Sequence, residues 1–236
     1  MSLYVYAITG TSHPLRLDDL KGVGLRSDVR AVRSGSLCAV VSDAPDEVSV
    51  ARRDLEAHQA VQERLWGDGA SLPLSFGFVA GDEDAVRAVL DQGADQFAQR
   101  LAELTDREEF NVKGVQDEDT VLRDIVEESE RVRELNEATR TGGGTYEERL
   151  ELGQLLAQEV QNRQDLLAGQ VVAALRPLAV AESLSPASQQ YFVNASYLVD
   201  RERAEEFTRA CRELSDGLPE GVEVRVGGPL PPYSFA

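Results

Sequence analysis

The feature that most limits the fold is a purely helical middle held between two β-containing ends. From Asp117 to Leu175 apolar residues recur at helical spacing, interrupted by the run Gly142-Gly143-Gly144. Val121, Leu122, Ile125, Val126, Val132 and Leu135 form the stripe before the glycines. Leu152, Leu155, Leu156, Val160, Leu167, Val171 and Leu175 form the one after them, and Pro177 ends it. A three-to-four residue period is that of an amphipathic helix, and proline cannot continue one. The segment predicts a hairpin of two helices, each about 30 residues long. Its acids Glu127, Glu128, Glu147, Glu148 and Glu151 read as a solvated outer face.

The N-terminal end reads as strands with two helices. Leu3 to Ile8 is apolar on both faces, as in a strand covered on both sides. Thr9 to Asp28 is a loop, and Val29–Arg33 and Leu37–Ser42 flank the hairpin signal Ser34-Gly35-Ser36. A helix capped by Ser49 follows, with Ala51, Leu55, His58, Val61 and Leu65 inward, and Gly67-Asp68-Gly69 stops it. Ser71 to Val79 predicts an edge strand because of Pro73. Asp82-Glu83-Asp84 opens the next helix, whose stripe is Val86, Val89, Leu90, Phe97, Leu101 and Leu104, with Gly93 as a break. Glu109 to Val115 is a further strand, placed either in this unit or in a second one. The C-terminal end predicts a strand over Tyr191–Val199, a helix over Arg201–Ser215 and a strand from Val222. The class is α+β, with two ferredoxin-like (modified) halves joined by the helical hairpin. Domains are expected at 1–115 and 116–236.

The charge balance excludes some partners. With 42 acidic against 24 basic residues the formal net charge is −18, which disfavours nucleic acid and anionic membrane surfaces. No apolar run reaches the roughly 18 residues of a membrane span. The start MSLYVYAITG reads as a strand rather than a signal peptide. Cys38 and Cys211, far apart and in apolar contexts, read as buried free thiols of a reducing compartment, so the protein is expected to be cytoplasmic.

Few residues suggest chemistry. His13 precedes Pro14 in a loop and reads as solvated; His58 lies on an apolar helix face without a nucleophile or second histidine beside it. The clusters Asp82-Glu83-Asp84 and Asp117-Glu118-Asp119 are helix starts rather than metal sites. Gly22-Val23-Gly24 and Gly142-Gly143-Gly144 lack the residues of a phosphate loop, and no Gly-x-Ser-x-Gly elbow occurs. No catalytic, cofactor or metal residue is therefore assigned. Two uncharged stretches remain as a candidate partner interface. One holds Leu72, Pro73, Leu74, Phe76 and Phe78; the other holds Pro229, Leu230, Pro231, Pro232, Tyr233 and Phe235. Each either caps its own domain or docks another protein.

Taken together, YVYAI, GVGLRSDVRAVRSGSLCAVVSD, His58 ahead of LPLSFGFV, FNVKG and the closing GPLPPYSF resemble the gas vesicle protein F/L family over nearly the whole chain. Ser75 departs from the pattern LPLRFG that the resemblance implies, which favours Arg there. The resemblance implies an accessory or minor structural protein of gas vesicle assembly, without enzymatic activity or cofactor. It also implies two modified ferredoxin-like domains and, as partners, the shell protein and other accessory proteins. The alternative is a ligand-sensing or enzymatic ferredoxin-like protein with a site between its halves, for which His58 is the candidate.

Overall fold

A computed structural model gives the architecture; it describes residues 1–24, 27–186, 188 and 190–236, the side chain at position 141 excepted. Leu25 and Arg26 of the GVGLRSDVR segment thus lie outside the described residues. The chain divides into two compact units, Met1–Glu109 with Pro229–Ala236, and Phe110–Gly228.

The first unit contains β1 (Leu3–Gly10), β2 (Arg30–Ser34), β3 (Leu37–Asp43), α1 (Arg52–Asp68), β4 (Ser71–Pro73), β5 (Val79–Ala80), α2 (Glu83–Gln92) and α3 (Ala94–Leu104). Its sheet has the order β2-β3-β1-β4, with β5 also paired to β1. β1 runs antiparallel to β3 and β4, and every residue from Leu3 to Thr9 is buried. That follows from apolar side chains on both faces of a central strand, each face having its own helical cover. Tyr4, Tyr6 and Val40 pack with Val61 and Leu65 of α1. Val5, Ile8 and Ala39 turn to the other face, toward α2 and α3.

Local chemistry departs from the expectations at four places. Ser49 does not cap α1: the N-cap is Ala51, and the Ser49 hydroxyl donates to Asp54 at 3.3 Å. Leu55 is partly exposed, because the buried face of α1 carries Asp54, His58 and Gln62 among its apolar residues. The strand expected over Ser71–Val79 is two short pieces, since the chain leaves the sheet between Pro73 and Val79. Gly93 does break the next helix, but Val89 stands half exposed rather than inward.

The second unit holds most of β6 (Arg107–Gln116), then α4 (Glu118–Glu128), α5 (Glu130–Thr139), α6 (Tyr146–Leu175), β7 (Ala181–Leu184), β8 (Val193–Asp200), α7 (Ala204–Asp216) and β9 (Val222–Leu230). Its sheet order is β7-β8-β6-β9, so the strand near Glu109 belongs to the second sheet. The core of this unit joins Phe110 and Val112 of β6, Leu167, Val171 and Leu175 of α6, Tyr197 of β8, and Phe207 and Cys211 of α7. A smaller cluster of Val121, Ile125 and Val132 packs with Leu152, Leu155, Leu156 and Val160, which closes the helical hairpin. The hairpin's first arm is not one helix. It breaks at Ser129, whose hydroxyl accepts from the Val132 N–H at 3.4 Å and so starts α5. Two acids of its outer face are paired: Arg131 holds Glu151 through two donors, and Arg163 reaches Glu128 at 2.6 Å.

β7 goes beyond the expected elements, since Ala-Glu-Ser-Leu shows no strand pattern; it pairs antiparallel to β8. β9 runs on through Gly227-Gly228-Pro229, where the sequence suggests a stop. It is the outermost strand, where a proline's missing N–H need not break a ladder bond. Cys38 and Cys211 are buried and unpaired. Among the described residues, no helix is long and apolar enough to cross a membrane.

Candidate functional site

His58 lies inside the first unit rather than in a cleft. It is buried, its ring sits among Tyr4, Tyr6 and Phe76, and its Nδ1 is 3.0 Å from the Tyr4 hydroxyl. That hydroxyl accepts from the Gly77 N–H at 2.9 Å, so its proton is available to Nδ1. Burial pushes the Tyr4 phenol up to about 12 and keeps it a donor. Burial also lowers the His58 pKa, opposed by a bond to the Leu74 backbone. On the other side of the ring, Nε2 lies 3.4 Å from the Gln62 amide nitrogen. Gln62, one turn on, donates to the carbonyls of Tyr6 at 2.6 Å and Leu74 at 3.3 Å. Asp54, one turn back, accepts from the Gly24 N–H at 3.0 Å. The spacing Asp54, His58, Gln62 puts three polar side chains on one line of α1, and they tie loops to the sheet. His13 is likewise not simply solvated: its Nε2 lies 2.9 Å from the Leu65 carbonyl near the end of α1.

The residues expected to form a partner interface divide by burial. Leu72 and Pro73 of β4 are buried, Leu74 and Phe76 are partly so, and Phe78 is half exposed. In the tail, Pro231 and Pro232 are buried, Leu230 and Phe235 are partly so, and Pro229 and Tyr233 are exposed. The tail belongs to the first unit, where Ser234 anchors it. The Ser234 N–H and hydroxyl donate to the two carboxylate oxygens of Glu109 at 2.8 and 2.7 Å. Glu109 is itself buried, and no local pattern signals that a carboxylate 125 positions away holds the tail. Both stretches meet at one hollow of about 330 Å³, whose walls include Leu72, Pro73, Leu74, Arg100 and Tyr233.

Beside it, sharing Ile8, Leu74 and Phe97, lies a crevice of about 260 Å³ between the sheet and α2–α3. All ten of its lining residues are apolar. A third, polar hollow of about 380 Å³ is lined by Asp43, Asp46, Glu47, Arg53 and Asp54, and Asp54 there already accepts from Gly24 and Ser49. Among the described residues, no group of three or more His, Cys, Asp or Glu is arranged to hold a metal ion.

The family model described as gas vesicle synthesis protein GvpL/GvpF matches residues 2–236. The chain belongs to this family. Gas vesicle protein F of Streptomyces sp. (strain CB03234) is 42% identical over 100% of this chain and 99% of its own length. Gas vesicle protein L of the same strain is 32% identical, over 99% and 92%. The crystal structure of GvpF from Microcystis aeruginosa superposes with a TM-score of 0.82 at 23% identity, covering 99% of this chain and 98% of that one. GvpF from Anabaena sp. PCC7120 gives 0.83 at 24%, covering 99% and 97%. At that identity the two structures establish the family's fold for this chain: mixed α+β with two sheets.

Proposed function

We propose that the protein is an accessory or minor structural component of gas vesicle assembly, binding the hydrophobic shell protein and other accessory proteins during nucleation or growth. The observation that carries this reading is the family match along the whole chain, together with relatives named gas vesicle proteins F and L. It acts in the cytoplasm and at the gas vesicle, without an enzymatic step. The working parts are the two units, Met1–Glu109 with the tail and Phe110–Gly228, each a modified ferredoxin-like unit, with most of β6 in the second rather than inside an N-terminal domain 1–115. The strand orders β2-β3-β1-β4 and β7-β8-β6-β9 support that description, because both are the same permutation of first-to-fourth strands. The contact surface includes the exposed parts of the two uncharged stretches, Phe76, Pro229, Leu230, Tyr233 and Phe235, with Leu72, Pro73, Leu74, Pro231 and Pro232 backing them. A pull-down of the shell protein tests this reading, run with the full chain and with a version ending at Gly228. The full chain should retain the shell protein and the truncation should lose most of it. Equal retention by a folded truncation removes the tail from the interface, and no retention by the full chain refutes the reading. A ligand-sensing or catalytic role loses its candidate, since His58 is buried inside the first unit with its Nδ1 against the Tyr4 hydroxyl and its Nε2 against Gln62.

A further inference from the structure

We propose that the apolar crevice between the sheet and α2–α3 of the first unit docks an apolar segment of a partner protein flanked by basic residues. This rests on the reading of the protein as a partner-binding component and names the site and its chemistry. The crevice floor is made of buried Val5, Ile8 and Val86, and its rim of Phe78 and Val89, which are 50% and 51% exposed. An exposed aromatic and an exposed valine beside an open apolar hollow form a contiguous patch, unlike scattered surface leucines. Water in the hollow finds no polar partners on its walls, so displacing it by hydrocarbon is favourable. At about 260 Å³ it falls below the roughly 300–1,000 Å³ of small-molecule sites and suits a few inserted side chains.

The charge around it selects the flanks of that segment. Residues 82–104, which carry α2 and α3, hold six carboxylates (Asp82, Glu83, Asp84, Asp91, Asp95 and Glu103) and two arginines. Both arginines are committed to carboxylates of their own helices, Arg87 to Glu83 and Asp84, Arg100 to Glu103. With Arg30 of β2 counted as well, which reaches Glu83 at 3.7 Å, six carboxylates stand against three guanidiniums, a net negative charge within a chain of net charge −18. Basic flanks are attracted, while a fatty acid or an anionic lipid is repelled.

The test titrates the full chain with two labelled peptides of about twelve residues, leucine-centred at helical spacing, one flanked by lysines and one by glutamates. The lysine-flanked peptide should bind about tenfold more tightly at low salt, with the difference shrinking in about 1 M salt as screening sets in. The double variant Phe78→Ser, Val89→Ser alters two half-exposed side chains and should bind it about tenfold more weakly while keeping the parent's circular dichroism spectrum and a cooperative melt. Equal binding of both peptides, equal binding by the double variant, or displacement by a medium-chain fatty acid would overturn the proposal. So would self-association of the full chain that the double variant abolishes, since the occupant would then be a second copy. Shell-protein capture separates this from the broader reading. Capture by the double variant as by the parent condemns the crevice alone, whereas failure of the parent condemns the function.

Discussion

Replacing Tyr4 by Phe removes one oxygen from the centre of the first unit and leaves the ring in place. That oxygen accepts from the Gly77 N–H at 2.9 Å and faces His58 Nδ1 at 3.0 Å. Gly77 is exposed, so water replaces its partner at small cost. His58 is buried among aromatic rings, so its Nδ1 loses a partner that water cannot easily supply. An unsatisfied buried acceptor costs about 1–3 kcal/mol, and the retained ring packing adds nothing to that, so about 2 kcal/mol is expected. For a chain of this length each kcal/mol moves the melting temperature by about 2–4 °C, giving a fall of about 4–8 °C. Thermal unfolding followed by circular dichroism measures it. A variant melting with the parent would mean that the Tyr4–His58 bond contributes nothing to stability.

The same network predicts a pH dependence. Burial lowers the His58 pKa, so the unfolded chain takes up the proton first, and the contribution is complete above about 6.5 and is lost as pH falls below it. Urea unfolding between about pH 7 and 5.5 should show stability falling by no more than about 1.4 kcal/mol per pH unit, and a folded His58→Gln variant should flatten the fall. Glu109→Ala removes both acceptors of Ser234, each a charge-assisted bond of about 1.5–3 kcal/mol, so the Ser234 amide should exchange at least about tenfold faster; an unchanged rate would dismiss the anchor. Gly114→Ala places a methyl well inside contact distance of the Phe192 ring, and overpacking of that kind should cost about 1–3 kcal/mol in chemical denaturation. A cost below about 0.5 kcal/mol would show that the ring moves aside freely.

The elements with a strong period were legible from residues alone. β1, the β2–β3 hairpin, the break at Gly93 and the helix ending before Pro177 all follow from local chemistry. The features that local patterns miss depend on partners distant in sequence. The buried face of α1 is half polar, and Asp54, His58 and Gln62 become readable as inward only once the loops and strand carbonyls they bond are in place. Val89 fits an inward stripe by spacing, yet the crevice beside it leaves it exposed, since a helical period specifies a face and not the depth of what faces it. Pro231 and Pro232 read as candidate contact surface because nothing around them is charged, whereas both are buried in a tail tied down by Glu109. The uncharged stretches themselves are visible in the sequence, but only the folded chain divides their buried halves from their exposed ones.

Whether the first unit's apolar surface meets a gas vesicle component is decided most directly by a photo-crosslinking residue placed at position 89 during vesicle assembly. The exposed Leu150 of α6 serves as the control position. The expected result is an adduct with the shell protein or another accessory protein at 89 and none at 150. An adduct at 150 alone, or none at 89 while vesicles form, would contradict the assignment of that surface as a docking site.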